Sequence, residues 1–293
     1  MEVAKLIKII HIPIIQLFLD IFNLSLRRKI KEKMHFIKQK IVLSLFLLIL
    51  CVTLQAQKAF EAGEILKYKV SYHWGILWLS AGTVEFEVKE NILPGYLDFV
   101  VTGRTYKQYD PFFKVRETYT STVFTTTLLP VFSGRDAIEG KYWAKENCHF
   151  NQEKGTVHCV ISRSTGKNTD STLVDAQNTF DILSAAYFFR DKDFSAMKKN
   201  EVFPLKVIVD GELYSIIVKY LGNETCSSAG KKYDCAKFSL NTIKGTIFTG
   251  NDKIHLWVTN DERKIPIRLT SKIQVGEVDV KFVSSSWQTL SRR

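Results

Sequence analysis

This chain lacks the short signatures by which most catalytic sites are recognised. It has no Gly-x-Ser-x-Gly elbow, no His-Glu-x-x-His and no glycine-rich phosphate loop. Those gaps remove an exposed serine nucleophile, a zinc-protease helix and a cradle for phosphates. It also lacks tandem repeats, low-complexity tracts and long linkers. No clean apolar run reaches the roughly 20 residues that a membrane helix needs. The formal charge is +11, yet the basic residues form no clustered stripe. Residues 1–56 carry nine Lys/Arg against three Asp/Glu, so only +5 of that charge remains on residues 57–293. We expect no nucleic-acid partner.

What is present begins with an export signature. Met34 is followed by a short basic stretch with Lys38 and Lys40, then by an apolar run from Ile41 to Leu54 broken only by Ser44 and Thr53. Leu54-Gln55-Ala56 then precedes Gln57. Basic region, short apolar region and small-residue site make a secretory signal. We expect cleavage between Ala56 and Gln57, a mature domain over 57–293, and residence in the periplasm of a Gram-negative bacterium. An uncleaved anchor is the alternative. Leu50 before Cys51 is too large for a lipoprotein signal. Membrane contact is therefore expected only through the N-terminal segment. Residues 1–33 read as an over-extended gene start, or alternatively as a first membrane segment. Pro13 and Asp20 argue against the second reading, because a charged residue at mid-helix costs about 2.5–3.5 kcal/mol on insertion scales.

Beyond Gln57, period-two alternation dominates. Leu66, Tyr68, Val70, Tyr72 and Trp74 fall on one strand face, and Lys67, Lys69 and Ser71 on the other. Val84, Phe86 and Val88, Leu205, Val207 and Val209, and Val278, Val280 and Phe282 repeat the pattern. Strands with one apolar face belong to antiparallel sheets with one wet side. Asp210-Gly211 suits a type I′ hairpin. Gly230-Lys231 and Gly276-Glu277 suit type II′. Phe180–Arg190 predicts one helix, capped by Asn178 or Thr179, with Ile182, Leu183, Ala186 and Phe189 packing on a sheet. The polar stretch 162–178 reads as a surface loop and as the boundary between two halves. The fold expected is mainly β: an antiparallel meander of strongly curved sheets, or a partly open barrel, with one short helix near 180–190.

Several short motifs in order carry a resemblance. Phe60-Glu61-Ala62-Gly63-Glu64, Tyr72-His73-Trp74-Gly75-Ile76, Gly103-Arg104-Thr105, Phe113-Lys114-Val115-Arg116, the helix Asp181–Arg190, Gly245-Thr246-Ile247-Phe248, Leu256-Trp257-Val258-Thr259 and Val275-Gly276-Glu277 together resemble a family of exported bacterial proteins, many from Bacteroidetes, catalogued as domain of unknown function 3108. The resemblance spans about residues 58–290. It implies a β fold and an envelope location, and it implies no catalytic residue and no cofactor.

Four cysteines lie beyond the signal, in two local pairs. Cys148 and Cys159 flank Gln152-Glu153-Lys154-Gly155 and become opposed across a four-residue loop. Cys226 and Cys235 become opposed if Gly230-Lys231 forms a two-residue turn in which 229 faces 232. Opposed residues meet the Cα spacing of a disulfide, and export supplies an oxidising compartment, so both bonds are expected. The rival is a metal site formed by Cys148-His149 and His158-Cys159. Adjacent strand residues point to opposite faces, so those four ligands do not converge, and no metal is expected.

Glu117 sits in an apolar row, Phe113-Val115-Glu117-Tyr119-Ser121-Val123. A buried acid needs a partner, and Arg104, Arg135 and Arg190 are candidates. Tyr72, Trp74 and Trp78 cluster near Gly75 and Gly82, and Tyr106, Tyr109, Phe112 and Phe113 near a second bend. They read first as core and second as an aromatic mouth for a ligand. Tyr72, Trp74, Trp78, Arg104, Glu117 and Arg190 are thus the candidate ligand-binding residues. Three functions are compatible with these features: a non-enzymatic binder of an amphipathic lipid or glycan, an envelope protein-interaction or assembly module, and a hydrolase with an unfamiliar site around Glu117 or Asp261. Asp261-Glu262-Arg263 reads most simply as a turn.

Overall fold

The computed structural model describes Lys40 and residues 58–242, 254–273 and 276–287. The chain separates into two units, Met1–Gln57 and Lys58–Arg293, and the second holds every strand and the helix described below. The signal segment and its Ala56–Gln57 junction lie outside the described residues, as does Gly245–Phe248. Among the described residues no helix is long and apolar enough to cross a membrane.

Among the described residues, fifteen strands form one sheet. In chain order they are β1 (Glu64–Trp74), β2 (Leu77–Glu90), β3 (Tyr96–Thr105), β4 (Val115–Phe124), β5 (Pro130–Glu139), β6 (Tyr142–Asn151), β7 (Thr156–Arg163), β8 (Thr169–Leu173), β9 (Thr179–Phe180), β10 (Val202–Val209), β11 (Glu212–Ser228), β12 (Lys231–Thr242), β13 (Ile254–Thr259), β14 (Pro266–Lys272) and β15 (Glu277–Trp287). One helix, α1 (Ile182–Arg190), stands between β9 and β10. The spatial order runs β8 down to β1, then β15 down to β9. Sequence neighbours pair antiparallel, apart from the parallel β9–β10 contact and from β8 and β9, which are the two edges and do not pair; β1 joins β15 antiparallel. This is the curved meander with one helix that the alternation predicts, and it stays open.

The curvature arises from connectivity. The two edges of the sheet, β8 and β9, are joined by residues 174–178 alone. Six residue steps span at most about 20 Å, so a fifteen-stranded sheet must roll until its edges nearly meet. They overlap. Cys148, Phe150, Val157 and Cys159 of β6–β7 pack with Ile208 of β10, although Ile208 alternates with Val207, which packs in the cluster around α1. The 162–178 segment is therefore not one loop, because Thr169, Ser171 and Leu173 pair with Ile161, Cys159 and Val157. Nor does it divide two separate sheets: it leads to the connection that carries the chain from one edge of a single sheet to the other.

Helix α1 lies on one face of the rolled sheet. Phe180, Ala185 and Phe189 meet Leu205, Val207, Val218 and Phe238, while Leu183 and Tyr187 meet Phe60, Phe99 and Val123. Tyr187 stacks on Phe99 at 3.8 Å between ring centroids. The cap is Asp181, rather than Asn178 or Thr179. Its Oδ1 accepts from Leu183 N at 2.8 Å and Ser184 N at 3.2 Å, and Ser184 Oγ accepts from Asp181 N at 3.0 Å, a capping box. Its Oδ2 accepts from Ser121 Oγ of β4 at 2.6 Å, so the cap also docks the helix on the sheet. Burial drives the Asp181 pKa up, against these hydrogen bonds. The packing stripe also differs from expectation. Leu183 and Phe189 are buried, but Ile182 and Ala186 are exposed. Tyr187, Ala185 and Arg190 take their places, because a helix enclosed by a curled sheet buries more than one narrow stripe.

The turns explain the remaining differences. Asp210 and Gly211 have φ of 52° and 78° between the paired Val209 and Glu212, which is the type I′ hairpin expected. At the next hairpin the turn is Ala229-Gly230, with φ of 48° and 74°, and Ser228 faces Lys231. The two-residue turn is therefore one position earlier than Gly230-Lys231 and type I′ rather than II′. Gly276 and Glu277 form no two-residue turn either: Glu277 pairs with Lys272, leaving four residues in the loop.

Candidate functional site

An antiparallel meander sends every second connection to the same end. The β1–β2, β3–β4, β5–β6, β7–β8, β10–β11 and β14–β15 connections share one end of this sheet; the α1 C-terminus and the β13–β14 turn lie at the other. On the face that carries α1, Ser121 and Val123 touch the helix region, and Tyr119 and Glu117 continue the same β4 row towards the first end. Glu117 opposes Gly103 on β3 and Ala137 on β5, and Ala137 opposes Ala144 on β6. Its row neighbours are thus small, and the long side chains of the adjacent rows converge.

Arg135 is where they converge. Its Nη2 donates to Glu117 Oε1 at 3.0 Å and to Glu139 Oε1 at 2.8 Å, and its Nη1 reaches Asp210 Oδ1 at 3.4 Å. Its guanidinium lies 5.4 Å from the Tyr119 ring centroid. Arg163 Nη2 donates to the Asp210 carbonyl at 3.3 Å, so the β10–β11 turn is clasped by β5 and β7 across the overlap. Burial would lower the Arg135 pKa, but Tyr119 and Glu117 outweigh it and hold the guanidinium charged. Burial, then the hydrogen bond with Glu117, pushes Glu139 above the ordinary carboxylate range, with Arg135 opposing. Burial, then the charge of Asp210, does the same to Glu146. Four acidic side chains thus surround two arginines, and Arg135 Nε has no hydrogen-bond partner among the described residues. The set offers hydrogen-bond donors and acceptors to a polar group.

The candidate residues separate. Tyr72 opposes Leu79 and Trp74 opposes Leu77; by alternation they share the helix-side face with Tyr68. Trp78 opposes His73 and stacks on it at 4.0 Å, on the other face. Arg104 opposes Thr83 and Arg116, is exposed and also lies on the other face, so it is no partner of Glu117. Arg190 lies at the opposite end. There it donates to Glu64 at 2.7 and 3.1 Å and to the carbonyls of Ala59, Arg263 and Lys264 at 3.3, 3.0 and 3.1 Å. Tyr72, Trp74 and Glu117 remain together on one face. Sequence reasoning missed Glu139 and Asp210. The period-two row Arg135-Ala137-Glu139 beside Glu117 was the available signal for the first; Asp210 had none, because the overlap brings it in.

The cysteines divide too. Cys148 and Cys159 are opposed and form a disulfide, as expected, and both are buried while the opposed His149 and His158 are exposed. Cys226 and Cys235 are free thiols, against expectation. The one-residue turn shift sets Cys226 against Tyr233 and Cys235 against Glu224, leaving the thiols diagonal rather than opposed. They hydrogen-bond to one another; that bond lowers the Cys226 pKa to about 7. Asp261 is a turn residue: its Oδ1 accepts from Thr259 Oγ1 at 2.6 Å and from Arg263 N and Lys264 N at 3.1 Å.

Residues 67–283 match a family model described as "Protein of unknown function (DUF3108)". No curated protein matches. Among solved structures, a β-barrel-like protein of the domain of unknown function DUF1849 from Brucella abortus overlays with a TM-score of 0.52 at 12% identity, covering 77% of this chain and 97% of that one. This supports the fold alone. A putative lipoprotein from Parabacteroides distasonis gives a TM-score of 0.31 at 8% identity, covering 79% of this chain and 100% of that one. A putative exported protein with a YmcC-like fold from Bacteroides fragilis gives 0.28 at 8% identity, covering 77% and 96%.

Proposed function

The chain belongs to the family of proteins of unknown function designated DUF3108, and on that premise we propose that it is an exported, non-enzymatic protein that binds an amphipathic envelope ligand, a lipid or a glycan. The observation that carries the reading is the half-buried cluster of Arg135 with Glu117, Glu139 and Asp210, set on the helix-side face towards the end where Tyr72, Trp74 and Leu77 extend the same face. Phe113 packs against Gly140, next to Glu139, and brings a further aromatic ring to this end. Concave sites that pair aromatic walls with a few fixed polar groups suit such ligands. The export signature of residues 34–57 supports a periplasmic location.

The test is native mass spectrometry of protein purified from its own host. The reading expects a reproducible extra mass that organic extraction removes, with lower occupancy in Trp74→Ala and Arg135→Gln. A bare mass from host-purified protein, or unchanged occupancy in both variants, overturns it.

A further inference from the structure

The end that carries the cluster also exposes large apolar side chains at two tips. The β1–β2 hairpin runs on past the last β2–β3 pair, Gly82–Thr105, and its tip shows Trp74, Ile76, Leu77 and Trp78. Ile76 is fully exposed and the two tryptophans are 59% exposed. At the same end the β3–β4 connection shows Phe112, 88% exposed, and Phe113. That connection is built rather than loose. Asp110 accepts from Arg116 Nη2 at 2.6 Å and from Thr105 Oγ1 at 3.1 Å, and the Tyr109 carbonyl accepts from Phe112 N and Phe113 N at 2.9 and 2.8 Å. Two ordered tips therefore hold large apolar side chains in water, which a soluble surface rarely does without a use.

Charge identifies the occupant. Lys107, Lys114, Lys141 and Arg104 are exposed near these tips, and among the described residues no carboxylate forms an ion pair with any of them, whereas Lys272 there faces Glu277. The carboxylates at this end are mostly engaged: Asp110 with Arg116, Glu139 with Arg135, and Asp279 with Arg268 and Lys281. Tryptophan at apolar tips ringed by such cations is the composition of a lipid interface, where rings sit at headgroup depth and lysines meet anionic headgroups. The 91–95 turn at the opposite end exposes Ile92 and Leu93 as well, but Glu90 and Asp98 flank it, the wrong sign of charge for an anionic surface. We propose that the β1–β2 and β3–β4 tips dock the β unit on an anionic bilayer surface. This goes beyond the N-terminal segment as the membrane contact, and it stands independently of the ligand reading.

The test uses the full chain and compares tip variants with wild type, since the N-terminal segment can itself hold the protein to vesicles and Trp143, Trp257 and Trp287 also emit. Tryptophan fluorescence is followed with vesicles of brominated phosphatidylglycerol and of brominated phosphatidylcholine. Quenching is expected with the anionic vesicles and not with the zwitterionic ones. Lys107→Glu with Lys141→Glu should weaken it by about tenfold or more, since each basic residue near such a surface contributes to anionic attraction. Ile76→Asp with Phe112→Asp should abolish it, with circular dichroism unchanged because both side chains are exposed. Absence of quenching in the wild type, or equal quenching in the Ile76/Phe112 variant, overturns the proposal. Capture of one envelope protein by tip cross-linking, with no vesicle quenching, overturns it in favour of a protein partner. A bare mass from host-purified protein, with tip docking retained, would instead sink only the ligand reading.

Discussion

Arg190→Met tests whether Arg190 is a structural tie rather than a ligand residue. Its side chain is 4% exposed and that of Glu64 is fully buried. Five hydrogen bonds leave it, two to the Glu64 carboxylate and three to the carbonyls of Ala59, Arg263 and Lys264. They link the end of α1 to the start of β1 and to the β13–β14 turn. Methionine keeps much of the volume and none of the donors. It leaves a buried carboxylate with only Arg263 Nη2, at 3.8 Å. Breaking one side of such a pair costs about 3–5 kcal/mol. For a unit of this size each kcal/mol moves the midpoint by about 2–4 °C, so Tm should fall by about 6–20 °C. Removing both partners in Arg190→Met with Glu64→Leu should recover much of that loss, because no unpaired charge remains. Arg190→Lys should resemble methionine more than the wild type, since an ammonium cannot reach five acceptors in fork geometry. Thermal unfolding of the four proteins by circular dichroism is the assay. A Tm for Arg190→Met within about 2 °C of wild type, a change well under 1–2 kcal/mol, would refute the reasoning. So would a double variant worse than the single.

Three further outcomes rest on the cysteines and on Glu146. The Cys148–Cys159 disulfide closes a sequence separation of 11, so Cys148→Ser with Cys159→Ser should lower stability to urea by about 2–3 kcal/mol in the chain-entropy model. Cys226 and Cys235 are buried thiols; a thiol reagent should leave both unmodified in the native protein and modify both in urea, as read by peptide mass. Glu146 has a raised pKa in the folded protein, so the folded state holds a proton that the unfolded state has released. Stability therefore falls as pH rises above the ordinary glutamate pKa and through the raised one. Glu146→Gln removes that dependence: its unfolding midpoint should match wild type at about pH 3 and exceed it at about pH 7. An equal difference at both pH values would count against it.

Much of the architecture was legible because it is local. Alternation along residues 64–74 or 202–209 reports a half-buried strand whatever its partners. Asp210-Gly211 reports a hairpin because few other residues accept positive φ at two successive positions. The opposition of Cys148 and Cys159 comes from loop length alone. The same counting failed at Cys226 and Cys235, where Ala229 takes a positive φ that its side chain does not advertise. One residue of slip then moved the opposed pair to a diagonal one.

The candidate site was legible only in fragments. Glu117 stood out in an apolar row, and Arg135 was among its three possible partners. Choosing it required the β4–β5 register, which sets Arg135 opposite Tyr119, beside Glu117, and Arg104 on the far face. Alternation alone sets Tyr72 and Trp74 on the helix side with Tyr68, but the extra residue Ala81 on β2, between the partners of Val70 and Ser71, puts Trp78 on the other face. Asp210 reaches Arg135 across 75 residues of chain, and Arg190 reaches Glu64 across 126. Strand period, turn conformation and helix capping act between residues a few positions apart, so the amino-acid order alone determines them. Register across many strands, the overlap of the rolled edges and the partners of buried charges depend on which distant segments come together. Packing of the whole sheet around α1 decides those.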